Sequence, residues 1–372
     1  MRINTITCHD VYNSGASLQA YALMKYLQNL GHDVKIIDYK PDYLSRHYKL
    51  WIVSNPKYEK NIILKIAYLL LKLPGRLWAL RTKKVFDDFR NSYLKITETR
   101  YSSNEELKSN LPEADLYIAG SDQIWNATFQ NGRDEAFYLD FVPNNKIRAS
   151  YAASFATETF PEELKDKTSN MLKKFDSISV REKSGLDILE DMNIKNGVQV
   201  LDPVFLLDKK HWENMCVDIN NNEKYLLVYD FDNNSLIREV ANKISKEKGL
   251  KIYTIFKSDY SDKNISNMGP IQFISYIKNA EFVISNSFHA TAFSIIFERV
   301  FVVVNRVDKI NTRMRDLLSD LDLSEKLVYE NYDINNVLST INYNKTKSLL
   351  DKKIKSSQAF LKNINFKEVS GD

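Results

Sequence analysis

The chain alternates short apolar runs with segments whose apolar residues recur every three or four positions. The first run, 2–8 (RINTITC), predicts a strand. Ala16, Ala20, Leu23, Leu27 and Leu30 then share one face of a helix, which Gly31 closes. DVKIIDY at 33–39 predicts a second strand. From about 40 to 100 the pattern is interrupted by an aromatic and basic insertion. It resumes with strands at 114–120, 147–155 and 177–182, and a helix at 161–175 lies between the last two. After Asp202-Pro203 a second series begins, with strands at 225–231, 251–256, 281–288 and 300–306. Ile237, Val240, Ala241 and Ile244 mark a helix in that series, and further helices are predicted at about 270–279 and 289–298. The lysine-rich stretch 345–357 predicts a polar terminal helix.

Apolar strands joined by helical crossovers build doubly wound parallel sheets. Two such series predict an α/β protein of two Rossmann-like domains facing a cleft. The first spans 1–202 and carries a helical insertion at about 40–100; the second spans 203–372. The length of 372 residues agrees, because single cores stop growing before that size.

Within the insertion, residues 61–84 read NIILKIAYLLLKLPGRLWALRTKK. Lys65 and Lys72 interrupt the apolar run and Pro74-Gly75 is expected to break it, so it is not a spanning helix. It predicts a basic amphipathic helix followed by a second. Two readings stay open: peripheral contact with an anionic membrane surface, or a helical hairpin packed on its own domain.

Net charge is +4, too mild to argue for nucleic acid, and no nucleic-acid-binding motif is present. Cys8 and Cys216 fall in unrelated contexts and suit a reducing compartment. The opening segment is too short and polar for a signal peptide's apolar region. A cytoplasmic protein is expected, peripheral at the inner face of the cell membrane if 61–84 makes the membrane contact.

Glycine-rich nucleotide fingerprints, C-x-x-C pairs, H-E-x-x-H and G-x-S-x-G are all missing, so no metal or cofactor is expected. Chemistry then falls to residues at the carboxyl ends of strands, where open α/β sheets bind ligands. Four clusters qualify. Asn13 and Gly15 sit in a small turn opening the first helix, which either holds an anion or merely caps. Gly120-Ser121-Asp122-Gln123-Ile124-Trp125-Asn126 follows a strand: Asp122 is a candidate base or hydroxyl-positioning group, and Trp125 either stacks on a sugar or anchors the core. Arg181 ends a strand, and its guanidinium fork suits a carboxylate or phosphate as well as an ion pair. His289, beside Ser285 and Ser287, begins a helix directly after a strand and is a candidate acid or base. Arg306, Arg313 and Arg315 follow it.

Taken in order, NSGASLQAYALMKYLQNLGHDV, AGSDQIWN, SYAASF, SISVREKSG, LDPVFLLDKKHW, NAEFVISNSFHATAFSIIF and NTRMRDLL resemble the polysaccharide pyruvyl transferase family, from residue 13 to about 318. The resemblance implies a glycosyltransferase-B-like architecture with the site between its domains. It implies phosphoenolpyruvate as co-substrate and two hydroxyls of one sugar as acceptor; a lipid-linked oligosaccharide as the acceptor would suit the basic amphipathic stretch at 61–84. The arginine that grips the donor corresponds to Arg181, and the histidine near the reacting carbon to His289. Some members carry arginine two positions before that histidine, where this chain has Ser287; Arg313 or Arg306 is then the candidate to complete the donor clamp. On this expectation His289 and Asp122 are catalytic. Arg181, Ser287, Arg313, Asn13 and Gly15 hold the donor, and Gln123 and Trp125 meet the acceptor. The alternative on the same architecture is a nucleotide-sugar-dependent glycosyltransferase, although only Gly249, Gly269 and Gly371 follow residue 203 and none forms a glycine-rich loop.

Overall fold

The computed structural model describes residues 1–44, 58, 61–219, 223–305 and 312–364. In the first half, strands β1 (Arg2–Ile6), β2 (Asp33–Tyr39), β3 (Ile96–Tyr101), β4 (Leu116–Ala119) and β5 (Ile147–Ser150) form a parallel sheet in the order β3-β2-β1-β4-β5. The helices of this half are α1 (Ser14–Asn29), α2 (Ile62–Tyr93), α3 (Asn104–Ser109), α4 (Glu162–Leu172) and α5 (Lys183–Asp191). Short strands β6 (Ile178–Val180) and β7 (Gly197–Gln199) pair with each other, and the bridges Ala149–Ser177 and Ala153–Val180 extend the sheet past β5.

The second half holds α6 (Lys209–Met215), β8 (Tyr225–Tyr229), α7 (Ser235–Lys248), β9 (Lys251–Thr254), β10 (Lys263–Asn264) and α8 (Pro270–Asn279). It continues with β11 (Phe282–Ser285), α9 (Phe288–Ile296), β12 (Val300–Val304), α10 (Thr312–Asp320), β13 (Leu327–Val328), α11 (Ile334–Leu338) and α12 (Tyr343–Lys362). Its parallel sheet runs β10-β9-β8-β11-β12-β13. The expected α/β class with two parallel sheets is therefore present. The predicted strands are there but shorter, because the last residues of most of them turn into the loops that carry polar groups.

β3 was not expected. ITETRY keeps only Thr97 and Tyr101 buried, because it is the sheet's edge and most of its positions face solvent. A larger correction concerns 61–84. Pro74-Gly75 does not break the helix: α2 runs continuously from Ile62 to Tyr93 with Pro74 inside it. Proline removes one backbone donor, but Leu70 and Pro74 are both exposed, so the carbonyl that loses its partner is open to water. The last two turns pack: Phe86 and Phe89 are buried, the former against Tyr12 and the latter against Tyr21.

An apolar seam joins the halves. Tyr21 on α1 meets Trp212 on α6, whose indole meets Phe293 on α9. The terminal helix returns to the first half: Ser357 accepts a hydrogen bond from the Leu201 amide at 2.9 Å, and Phe360 lies near Tyr151. The carboxyl ends of the strands border the polar space above this seam, which is where the candidate site forms.

Candidate active site

Asp202 is the hub. One of its carboxylate oxygens, Oδ2, accepts from Arg181 Nη1 at 2.6 Å and from the Ser121 hydroxyl at 3.1 Å, and stands 3.5 Å from His289 Nε2. Its other oxygen, Oδ1, caps the turn at Pro203 by accepting from the Val204 amide at 3.1 Å. Three segments far apart in sequence thus meet at a carboxylate 1% exposed. Burial alone would raise the Asp202 pKa. His289, Arg181 and the Val204 amide outweigh that and hold it well below the usual carboxylate range. Sequence reasoning missed this residue, taking Asp202-Pro203 for a boundary. A signal was present, since an acidic residue between two apolar runs is expensive to bury unless it is paired.

Arg181, at the end of β6, is buried. Besides Asp202 it faces Asp122 at 3.7 Å and Glu182 at 3.9 Å, and its guanidinium lies 4.4 Å above the Phe288 ring. Burial alone would lower its pKa; Asp202, Asp122 and Glu182 reverse that and raise it. Its Nε and Nη2 are buried without a hydrogen-bond partner. The ion pair that the sequence left open is present, with Asp202 at 2.6 Å rather than with Glu182, which is engaged elsewhere. The Glu182 carboxylate accepts from the Ser154 hydroxyl at 2.8 Å and the Ala156 amide at 2.7 Å. Arg313, on α10, approaches the same place from the second half: 3.9 Å from Asp122 and 5.9 Å from the Phe288 ring. Phe288 is therefore the apolar floor between two guanidiniums, a role the sequence did not reveal. Arg306 lies outside the described residues. Arg315 points away, pairing with Glu158 at 2.8 Å.

His289 occupies the first turn of α9, and Ser287 caps that helix by accepting from the Ala290 amide. The imidazole rests against the first turn of α1. A Cβ on Gly15 would stand 2.1 Å from His289 Nδ1, so only glycine admits the ring. Asn13 caps α1, accepting from the Ala16 amide at 3.1 Å. Two helix N-termini, each carrying a partial positive charge, thus converge on His289.

Asp122 takes a positive φ of 74°, in the left-handed region that a residue with a side chain adopts at a cost. That turn keeps its half-buried carboxylate facing both arginines. Gln123 braces the same loop, its side-chain oxygen accepting from Asn126 at 2.8 Å and its carbonyl from Asn131 at 2.6 Å. Trp125 requires a correction. It is 0% exposed, its indole donates to the Phe137 carbonyl at 2.9 Å, and Tyr138 and Phe155 pack against it. No sugar reaches that ring; the core reading is the one the structure supports.

Of two cavities in this region, the smaller, about 80 Å³, is lined by the cluster itself, with Arg181, Asp202, Phe288, Arg313 and Lys353 among its residues. The larger, about 760 Å³, lies between the halves against Thr128, Thr157, Glu158, Asn305, Thr312 and Arg315. Among the described residues no group of three or more metal-binding side chains is assembled.

Two parallel sheets, each flanked by helices, define an α/β fold of the glycosyltransferase-B-like type. A UDP-N-acetylglucosamine 2-epimerase structure shares this fold at a TM-score of 0.50 and 12% identity, over 96% of this chain and 90% of that one. A Listeria monocytogenes protein described as an enzyme of the same name matches at 0.50 and 10% identity, with the same coverage. At such identities the likeness concerns the fold alone. No curated protein matches the chain at a significant level. The polysaccharide pyruvyl transferase family model matches residues 13–308. The chain belongs to that family, and is accordingly a transferase of polysaccharide biosynthesis.

Proposed function

We propose that this enzyme transfers pyruvate from phosphoenolpyruvate to two hydroxyls of one sugar, forming a cyclic ketal on a cell-surface polysaccharide precursor. The observation that carries the reading is the pairing of two buried guanidiniums, Arg181 and Arg313, across Phe288 beside His289. A small donor with a carboxylate and a phosphate needs two cations and a nearby proton carrier, and that is what the cluster offers. Nε and Nη2 of Arg181 face Glu182 and Asp122 at 3.9 and 3.7 Å without a hydrogen bond, and in this reading the fork they form turns to one of the two anionic groups.

His289 delivers a proton to C3 of the donor, and C2 becomes electrophilic. A sugar hydroxyl adds to C2. The C2–O bond to phosphate then breaks, and the second hydroxyl closes the ring. Of the two hydroxyl protons, one replaces the proton given to C3 and the other leaves with phosphate. Asp202, 3.5 Å from Nε2, orients the imidazole. Asp122 positions the acceptor or takes the proton of the attacking hydroxyl, and Ser287, Asn13 and Gly15 shape the helix ends facing the donor. The acceptor lies in the larger cavity, whose volume falls in the usual range for ligand sites. The reaction proceeds without a cofactor. The test is inorganic phosphate release from phosphoenolpyruvate that depends on an added sugar acceptor.

A further inference from the structure

We infer that the N-terminal half of α2 is a docking surface for an anionic lipid bilayer. Its apolar side chains face solvent: Ile62 is 68% exposed, Ile63 73%, Leu70 64% and Leu71 78%. Ile66 and Leu77 continue the same face at 51% and 50%. This is no scatter of single residues. At 100° per residue, positions 62, 66, 70 and 77 fall within one quadrant of the helix. Lys65, Lys72 and Lys83 fall together on the adjoining side.

Charge selects the occupant. The helix carries Lys65, Lys72, Arg76, Arg81, Lys83 and Lys84, and no acidic residue before Asp87. A second copy of this chain is a poor partner: a two-fold pairing of these faces would set the basic rows beside each other, and the first carboxylate of the helix, Asp87, already pairs with Lys83. An anionic membrane surface supplies both missing complements, acyl chains for the apolar face and headgroups for the lysines. The helix lies on such a surface and does not cross it, since no described helix is long and apolar enough to span a membrane.

The same helix reaches the cleft. Its C-terminal half packs Phe86 on Tyr12, which directly precedes the Asn13 cap of α1, and Val85 against Gly269 of the second half. Docking through residues 62–77 therefore turns one lip of the cleft toward the bilayer. Resting on the pyruvyl-transfer reading, this geometry specifies an acceptor sugar carried on a membrane lipid.

Sedimentation of the full-length protein with vesicles tests the inference. The wild type pellets with mixed phosphatidylglycerol–phosphatidylcholine vesicles, not with phosphatidylcholine alone, and is released in about 1 M salt. The double variant Leu70→Glu/Leu71→Glu stays in the supernatant, and Lys65→Gln or Lys72→Gln each weakens binding roughly fivefold. Leu70, Leu71 and Lys72 are exposed and Lys65 is partly so, so folding and donor-dependent phosphate release with a free sugar are unchanged. Absence of wild-type binding overturns the inference, as does binding that the double variant retains. So does a double variant that changes only oligomeric state. Phosphate release is read separately: its absence in every protein would sink the catalytic reading and leave the vesicle result standing.

Discussion

Gly15 lies directly beneath the imidazole of His289, closer than any residue with a side chain would allow. One residue opens a helix of the first half and the other a helix of the second. The contact therefore sets the position of the proposed proton carrier relative to both sheets.

Gly15→Ala must push that imidazole away, since the added methyl would overlap Nδ1. Turnover should fall about a hundredfold through misplacement alone. Alanine is the better helix former by roughly 1 kcal/mol, so the melting temperature should change little. Circular dichroism melts beside initial rates separate the two effects; an unimpaired rate would mean that the ring position does not matter.

The pair His289 and Asp202 should divide differently. His289→Ala removes the acid–base group and should cost about 10²–10⁴ in kcat with the fold intact. Asp202→Asn also takes from buried Arg181 its nearest counter-charge, a loss of about 3 kcal/mol. Its rate loss should come with a clear drop in denaturant midpoint, which His289→Ala should not show. Equal stability for both variants would remove Asp202 from the hub.

The donor clamp is tested by Arg181→Lys. An ammonium keeps the charge but lacks the fork and cannot lie flat on Phe288. KM for phosphoenolpyruvate should rise at least tenfold, with KM for the acceptor nearly constant. A rise confined to the acceptor would reassign Arg181.

Stability against acid should report a second buried network. Asp38 is buried; desolvation would raise its pKa, but His9, Arg100 and Arg90 outweigh it and lower it to about 2. An unfolded aspartate titrates near 3.9. The network therefore stabilises fully above about pH 4 and loses its effect as pH falls toward 2. Asp38→Asn should cost about 2 kcal/mol at pH 7, a difference that narrows below pH 4. A penalty independent of pH would show that packing, not charge, is lost.

Much of the fold was legible because burial writes itself into strands and amphipathic helices. Ala16, Ala20, Leu23 and Leu27 face the core as their spacing predicts. β3 was hidden because an edge strand needs few apolar residues, and the continuity of α2 because an exposed proline costs less than a buried one. At the site, Arg181, His289, Asp122 and Arg313 do converge. Asp202 and Phe288 were overlooked: an acid between apolar runs signals a buried pair without naming its partners, and a core phenylalanine reads the same as one beside guanidiniums. Trp125 failed the opposite way: its neighbours in sequence are polar, while its neighbours in space, Tyr138 and Phe155, are aromatic.

Pyruvyl transfer itself is tested most directly by incubating the enzyme with phosphoenolpyruvate and a panel of free and lipid-linked sugars. Phosphate release and acceptor mass are followed together. The account predicts phosphate release only with an acceptor bearing a suitable pair of hydroxyls, matched by a product heavier by one pyruvate less one water. Phosphate release without that mass gain, or product formation that requires a sugar nucleotide instead, would contradict it.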